Sequence, residues 1–134
     1  MQYEFSIKTS KQQEIIDLTN EVKKIVSQSK IKEGICLIYV PHATCAIIIN
    51  ENYDAGVCED IISALNKVIP LHAGYKHDKV DNNSAAHIKS AIIGPSETVS
   101  IKKGNLQLGA WQGIALTEFD GPRKRKVIVK ILKG

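Results

Sequence analysis

Aromatic side chains are scarce in this chain. One Trp, two Phe and four Tyr make up 5% of its 134 residues, too few to build the stacking platform on which proteins hold single-stranded RNA or DNA. Long apolar runs are missing too: nothing approaches the ~20 residues that span a bilayer. Met1-Gln2-Tyr3-Glu4 lacks the basic start and apolar stretch of a signal peptide. Cysteine is limited to Cys36, Cys45 and Cys58, an odd number without CxxC spacing, which excludes a disulfide framework. These absences point to a cytoplasmic protein with reduced thiols. Cys36 and Cys45, flanked by Ile, Leu and Ala, read as small buried residues; a nucleophilic Cys45 close to His42 is the alternative.

What is present has the balance of a globular domain, with 43% hydrophobic and 24% charged residues. The length suits one domain covering residues 1–134, with no repeat, linker or low-complexity tract. Much of the net charge of +4 sits in Arg123-Lys124-Arg125-Lys126. That run reads as a solvated turn ahead of a strand, with an anionic ligand or nucleic acid as the alternative partner.

Met1, Tyr3, Phe5 and Ile7 alternate with polar residues and predict a half-buried strand. Ser10-Lys11-Gln12-Gln13 has capping-box spacing and predicts a helix start, with Ile15, Leu18, Val22, Ile25 and Val26 on its apolar face. Ile35–Val40 and Ala46–Ile49 read as two hairpin-like strands buried on both faces, joined by Pro41-His42-Ala43-Thr44. Asp54 caps a second helix that buries Val57, Ile61, Ile62, Leu65 and Val68 and stops at Pro70. Residues 71–82 form a polar loop. A short third helix runs from Asn83 to Ile93, with Ile88 and Ala91 toward the core. Strands at Thr98–Ile101, Leu106–Ala110, Ile114–Glu118 and Val127–Leu132 complete the pattern. The expected fold class is α+β: a compact single domain with mixed or antiparallel sheets, about three helices and a C-terminal β-meander.

Chemistry is concentrated at element edges, where imidazoles are free to face a shared pocket. His42 ends a strand, His77 and Asp78 lie in the polar loop, and His87 lies one helical turn after Asn83. Histidine titrates near neutrality and is the commonest protein metal ligand, yet the spacing of these three matches no HExxH or CxxC motif. His77-Asp78 has the makings of a base with its orienting carboxylate. The N-terminus of the third helix, with Asn82, Asn83 and Ser84, suits an anion or is simply capped by those side chains. Glycines flank the lone Trp in Gly109-Ala110-Trp111-Gln112-Gly113, which suggests a bulge or close backbone approach. Glu118, Asp120 and Arg123 combine two carboxylates with a phosphate-binding cation. A core Trp and a charged hairpin tip are the alternatives for these two segments.

The run from Gly104 to Ile114, Gly-Asn-Leu-Gln-Leu-Gly-Ala-Trp-Gln-Gly-Ile, followed by Glu118-Phe-Asp-Gly-Pro-Arg123, resembles the signature of the YjbQ-like family, also called the secondary thiamine-phosphate synthase family. Pro41-His42-Ala43-Thr44 with Ile49-Asn50-Glu51, and Tyr75-Lys76-His77-Asp78 with Asn83 and Ala86-His87-Ile88, resemble its other blocks. Ala110 stands where the signature usually has Thr, Ala43 where Thr is common and Cys45 where Gly is common. The resemblance implies a homotrimer of small α+β subunits with pockets near subunit interfaces. It also implies a divalent metal, zinc or magnesium, on His42, His77 and His87, and an activity on phosphorylated substrates. That activity is the joining of a hydroxymethylpyrimidine diphosphate to a thiazole phosphate, giving thiamine phosphate and diphosphate. In this reading Glu118 and His77 are catalytic, while Thr44, Asn83, Trp111, Gln112, Asp120 and Arg123 bind substrate. A non-catalytic protein that binds a phosphometabolite uses the same pocket without a productive base. Nucleic-acid binding through Arg123–Lys126 ranks last, and no membrane partner is expected.

Overall fold

The alternation at the N-terminus forms β1 (Gln2–Lys8) in the computed structural model, which describes all 134 residues. The next segment departs from the expected helix. Glu14 accepts the backbone N–H groups of Ser10 (2.6 Å) and Lys11 (2.8 Å), which closes a turn rather than capping a helix. Ile15 and Ile16 then lie in a short strand, β2 (Glu14–Asp17), where β-branched side chains suit a pleated surface. The first helix, α1 (Thr19–Ser29), starts only after Asp17 has accepted the Thr19 N–H at 3.0 Å. Of the predicted apolar face, Leu18, Val22, Ile25 and Val26 reach the core at this helix.

The remaining elements are β3 (Glu33–Tyr39), β4 (Cys45–Asn50), α2 (Ala55–Val68), a 3₁₀ turn at Lys76–Lys79, α3 (Ser84–Ile93), β5 (Ser96–Lys102), β6 (Asn105–Leu106), β7 (Gly113–Glu118) and β8 (Lys124–Lys133). They form two sheets, a five-stranded one ordered β1-β8-β3-β5-β6 and a three-stranded one ordered β2-β7-β4. Every pairing is antiparallel. β3 and β4 are therefore not a hairpin. Past Tyr39 the chain reaches Pro41, which has no N–H to give a ladder, and β4 pairs with β7 in the other sheet. The C-terminal meander is also revised. β5 and β6 form a hairpin through Lys103 and Gly104, both at positive φ, but β7 joins the small sheet and β8 inserts between β1 and β3.

One core lies between the sheets and α1, with Cys36, Ile38, Val99, Ile101, Val127, Val129 and Ile131 from the large sheet facing Ile47, Ile114 and Leu116 from the small one. The other face of the small sheet carries α3, where Ala86 meets Ala46 and Phe119, with Leu65 of α2 packed alongside. That contact between two alanines sets the rotation of α3. Ala85, Ala86, Lys89 and Ser90 are buried, whereas Ala91, expected in the core, is exposed and Ile88 is half-buried. Asp54 caps α2 as expected, accepting the Gly56 N–H at 2.8 Å. None of the helix's apolar residues is fully buried, and Val68 is 79% exposed.

Candidate functional site

The loop before α3 and the turn after β7 converge on the start of that helix. Asp78, in the 3₁₀ turn, accepts the Ser84 N–H at 3.0 Å. The anion expected at this helix N-terminus is thus supplied by the chain itself. Asn83 donates its amide to Asp120 at 2.8 Å, and Asp120 in turn receives the Arg123 guanidinium at 2.9 Å. Four buried polar atoms here find no partner within the chain: Asp78 Oδ2, Asn83 Oδ1, Ser84 Oγ and Ser90 Oγ. Buried polar groups are rarely left so, and all four lie within residues 78–90.

The structure brings His77 and His87 together, with ring centroids 5.1 Å apart and planes perpendicular. They line a recess of about 270 Å³ with Tyr75, Ser84 and Ile88. The carboxylate beside His77 is that of Asp81, 3.5 Å from Nε2, and not that of Asp78. A second recess of about 370 Å³ holds His87 again, now with His42, Cys45 and Ser90. His87 therefore stands between two lobes, each with a second imidazole, His77 in one and His42 in the other, and the latter lobe is also walled by Ala43, Ala91 and Pro95. Burial pushes the Cys45 thiol up to about 11, so it stays protonated and packs; it is no nucleophile.

His42 has a defined role in the backbone. Its Nε2 accepts the Lys126 N–H at 2.9 Å. Ile128 is the last β8 residue paired with β3, opposite Tyr39, so the ring supplies the acceptor that β3 no longer provides at Lys126. Burial and then the nearby Arg125 charge hold the imidazole below its ordinary value, with Glu118 pulling the other way. This arrangement does not fit the expected three-histidine metal centre. An imidazole that accepts at Nε2 carries its proton on Nδ1 and has no lone pair left for a cation. No three His, Cys, Asp or Glu side chains of the chain are grouped closely enough to hold a metal ion.

Glu118 is placed elsewhere than expected. It is fully buried, and Oε1 accepts Thr9 Oγ1 at 2.8 Å and Arg125 Nε at 2.9 Å. Oε2 accepts Arg125 Nη2 at 2.5 Å and the N–H groups of Phe119 and Asp120 at 3.1 and 3.2 Å. Such a carboxylate has no face to offer a substrate, which removes it as an acid–base group. Thr44, read as a substrate ligand, is buried under the same arginine, which donates to its Oγ1 at 2.8 Å. The basic run is likewise not a uniform solvated turn: Arg125 is 3% exposed, and Arg123 is tied to Asp120.

Trp111 and Gln112 are not part of this site. They line a separate recess of about 380 Å³ with Lys23, Asn52 and Tyr53, which shares no residue with the histidine lobes. β7 sets the distance, since Gly113 and Glu118 stand at opposite ends of a strand ~17 Å long at ~3.4 Å per residue. Trp111 is 74% exposed and so is not a core residue. The expected close approach is found next to it: a Cβ on Gly113 would lie 2.6 Å from Asn52 Oδ1. A further recess, about 700 Å³ near Ile35, Lys102 and Leu132, carries no histidine or cysteine.

Two buried cations escaped the sequence reading. Arg125 alternates with Val127, Val129 and Ile131, a period-2 signal masked by its lysine neighbours. Lys89 is fully buried with no carboxylate partner. Its Nζ donates to Asn66 and, at 3.3 Å, to Gln13, and lies 5.6 Å from the Phe119 ring centroid. It shares a helical face with Ala86 and Ile93, where a charge was not sought.

Comparison with known proteins places these features in a family. The family model described as UPF0047 protein YjbQ-like matches residues 3–134. A UPF0047 protein of Methanocaldococcus jannaschii is 48% identical over 98% of this chain and 94% of its own. YugU of Bacillus subtilis is 43% identical over 94% and 95%. Among solved structures, a protein of unknown function from Sulfolobus solfataricus superposes with a TM-score of 0.97 at 37% identity, covering 100% of this chain and 97% of its own. An uncharacterised protein from Clostridium acetobutylicum does so with a TM-score of 0.93 at 50% identity, covering 97% and 99%.

Proposed function

Since the chain belongs to the YjbQ-like UPF0047 family, we propose that the recess around His77 and His87 binds a small phosphorylated molecule and carries out acid–base chemistry on it. The pairing of the two imidazoles at 5.1 Å, in a recess also lined by Ser84 with its unpartnered hydroxyl, supports this reading most directly. Two facing imidazoles act as base and acid in turn, and a serine hydroxyl donates to a phosphate oxygen. Asp81 orients His77. Asp120 and Arg123 hold Asn83, and Glu118 acts at one remove by fixing the turn that carries them. A divalent metal, zinc or magnesium, would meet two imidazoles here rather than three.

The first reaction to assay is the joining of hydroxymethylpyrimidine diphosphate to thiazole phosphate with release of diphosphate. Turnover that falls at least 100-fold in both His77→Ala and His87→Ala, with the fold intact, supports the enzyme. A non-catalytic phosphometabolite-binding protein is the second reading, favoured by the full commitment of Glu118 inside the core. In that case phosphate binding is lost in the same variants and no turnover is seen in any of them.

As regards partners, a homotrimer accounts for apolar side chains that the single chain leaves uncovered, among them Ile35 and Leu132. No helix is long and apolar enough to cross a membrane. The cysteines are unpaired, which suits the reducing cytoplasm. Nucleic-acid binding is disfavoured by the burial of Arg125 and the pairing of Arg123.

A further inference from the structure

The fixed hydrogen bond at His42 gives this residue a role of its own. We infer that His42 is a neutral imidazole locked as the Nδ1–H tautomer, and that it donates this N–H to an anionic oxygen of the ligand in the His87 recess. Three observations carry the inference. Nε2 is occupied by the Lys126 N–H at 2.9 Å, and the nitrogen that accepts such a bond fixes the proton on the other. Nδ1 makes no hydrogen bond within the chain, although the ring lines the recess beside His87 and the unpartnered Ser90 hydroxyl. The guanidinium of Arg125, locked on Glu118, and the ammonium of Lys126 both lie near the ring, so a second positive charge on it is opposed. A donor held in place by the backbone costs no reorganisation when negative charge arrives. His42 is thereby distinguished from the His77–His87 pair. Above pH 6.5 it takes up no proton, it holds no metal, and the ligand it meets is a phosphate or carboxylate oxygen.

The donor role rests on the proposed reading of the recess, but the tautomer can be measured without any ligand. Long-range ¹H–¹⁵N correlation spectra of the labelled protein separate protonated from unprotonated ring nitrogens. His42 is expected to show a protonated Nδ1 and a bare Nε2; the reverse pattern overturns the inference. Inorganic phosphate is then titrated. Asparagine places an amide near the Nδ1 position and glutamine near Nε2. His42→Asn is thus expected to keep phosphate affinity within about threefold, and His42→Gln to lose about tenfold or more, the worth of one hydrogen bond to a charged group. Equal affinity in both variants overturns the donor role. Zinc is the third probe: zinc affinity falling as far in His42→Gln as in His77→Ala overturns the inference in favour of a metal ligand. If phosphate shifts His77 and His87 but not His42, the inference fails and the reading of the recess stands. If phosphate shifts none of them, both fail, and the ligand-free spectrum still reports the tautomer.

Discussion

Arg125 and Glu118 form a buried ion pair, whereas the other ion pairs of the chain lie at its surface. Both are buried, at 3% and 0% exposure, and each satisfies the other's charge. Arg125→Met would leave the carboxylate in the core with only neutral donors. Breaking one half of such a pair costs ~3–5 kcal/mol, and a shift in denaturant midpoint of that size is the expected result. The double variant Arg125→Met with Glu118→Leu removes both charges, and it is expected to recover part of the loss, with the shortfall set by the bonds that Thr9 and Thr44 give up. His42 adds a pH dependence of the opposite origin. Its folded-state value lies below the ordinary 6.5, through burial first and Arg125 second. The unfolded chain therefore binds a proton more readily, so stability is complete above pH 6.5 and declines as pH falls through the folded value. The bond from Lys126 works the same way, because Nε2 cannot accept once protonated. Urea titrations from pH 7.5 to 5.5 are expected to show this decline in the wild type and a flatter profile in His42→Gln.

At the level of elements, α2 is the least secured part of the fold. It is correctly foretold by Asp54 and Pro70, yet it buries no side chain completely. Helices held by little tertiary packing open locally, so amide exchange is expected to be faster in α2 than in α1. Asp54→Ala, which removes the cap on Gly56, is expected to cost ~1 kcal/mol and to widen that difference. β3 shows the reverse, a strand with no slack. A Cβ on Gly34 would run into the Leu132 carbonyl across the ladder, so Gly34→Ala forces two backbones apart and is expected to lower stability by ~1–3 kcal/mol. How far the sequence discloses its elements follows from the range of the forces involved. β1 and α3 are written in local alternation and helical spacing, and both are found where expected. The start of α1 is misjudged because Glu14 satisfies the same N–H groups that a helix cap would. The meander fails because nothing local tells β8 to lie between β1 and β3. The histidine pair is legible as a cluster of edge residues, but the partner of His42 is a backbone N–H 84 residues away, and no spacing rule reports it.

At the scale of the whole molecule, the two faces of the layered fold are unequal. The small sheet is covered by α3, whereas the outer face of the five-stranded sheet is bare. On it Ile35 lies opposite Leu132 and Tyr39 opposite Ile128, with Ile35, Tyr39 and Leu132 at 41%, 37% and 49% exposure. Contiguous apolar side chains in the middle of a sheet are an uncommon surface for a lone chain and a usual one for a subunit. Lys130, opposite Leu37, shares that face between Ile128 and Leu132, so a further positive charge there is poorly tolerated in an interface. Leu132→Lys leaves the interior untouched, because residue 132 faces outward while Ile131 faces the core. The histidine recess lies beyond the small sheet, on the opposite side of the core. If the bare face is where subunits meet, sedimentation velocity will give three times the chain mass for the wild type and the single-chain mass for Leu132→Lys. Phosphate binding at His77 and His87 is expected to survive that change. A wild type that sediments as one chain would defeat the trimer. Loss of phosphate binding upon dissociation would instead show that the recess depends on a neighbouring subunit, and that the unpartnered hydroxyls of Ser84 and Ser90 find their partners there.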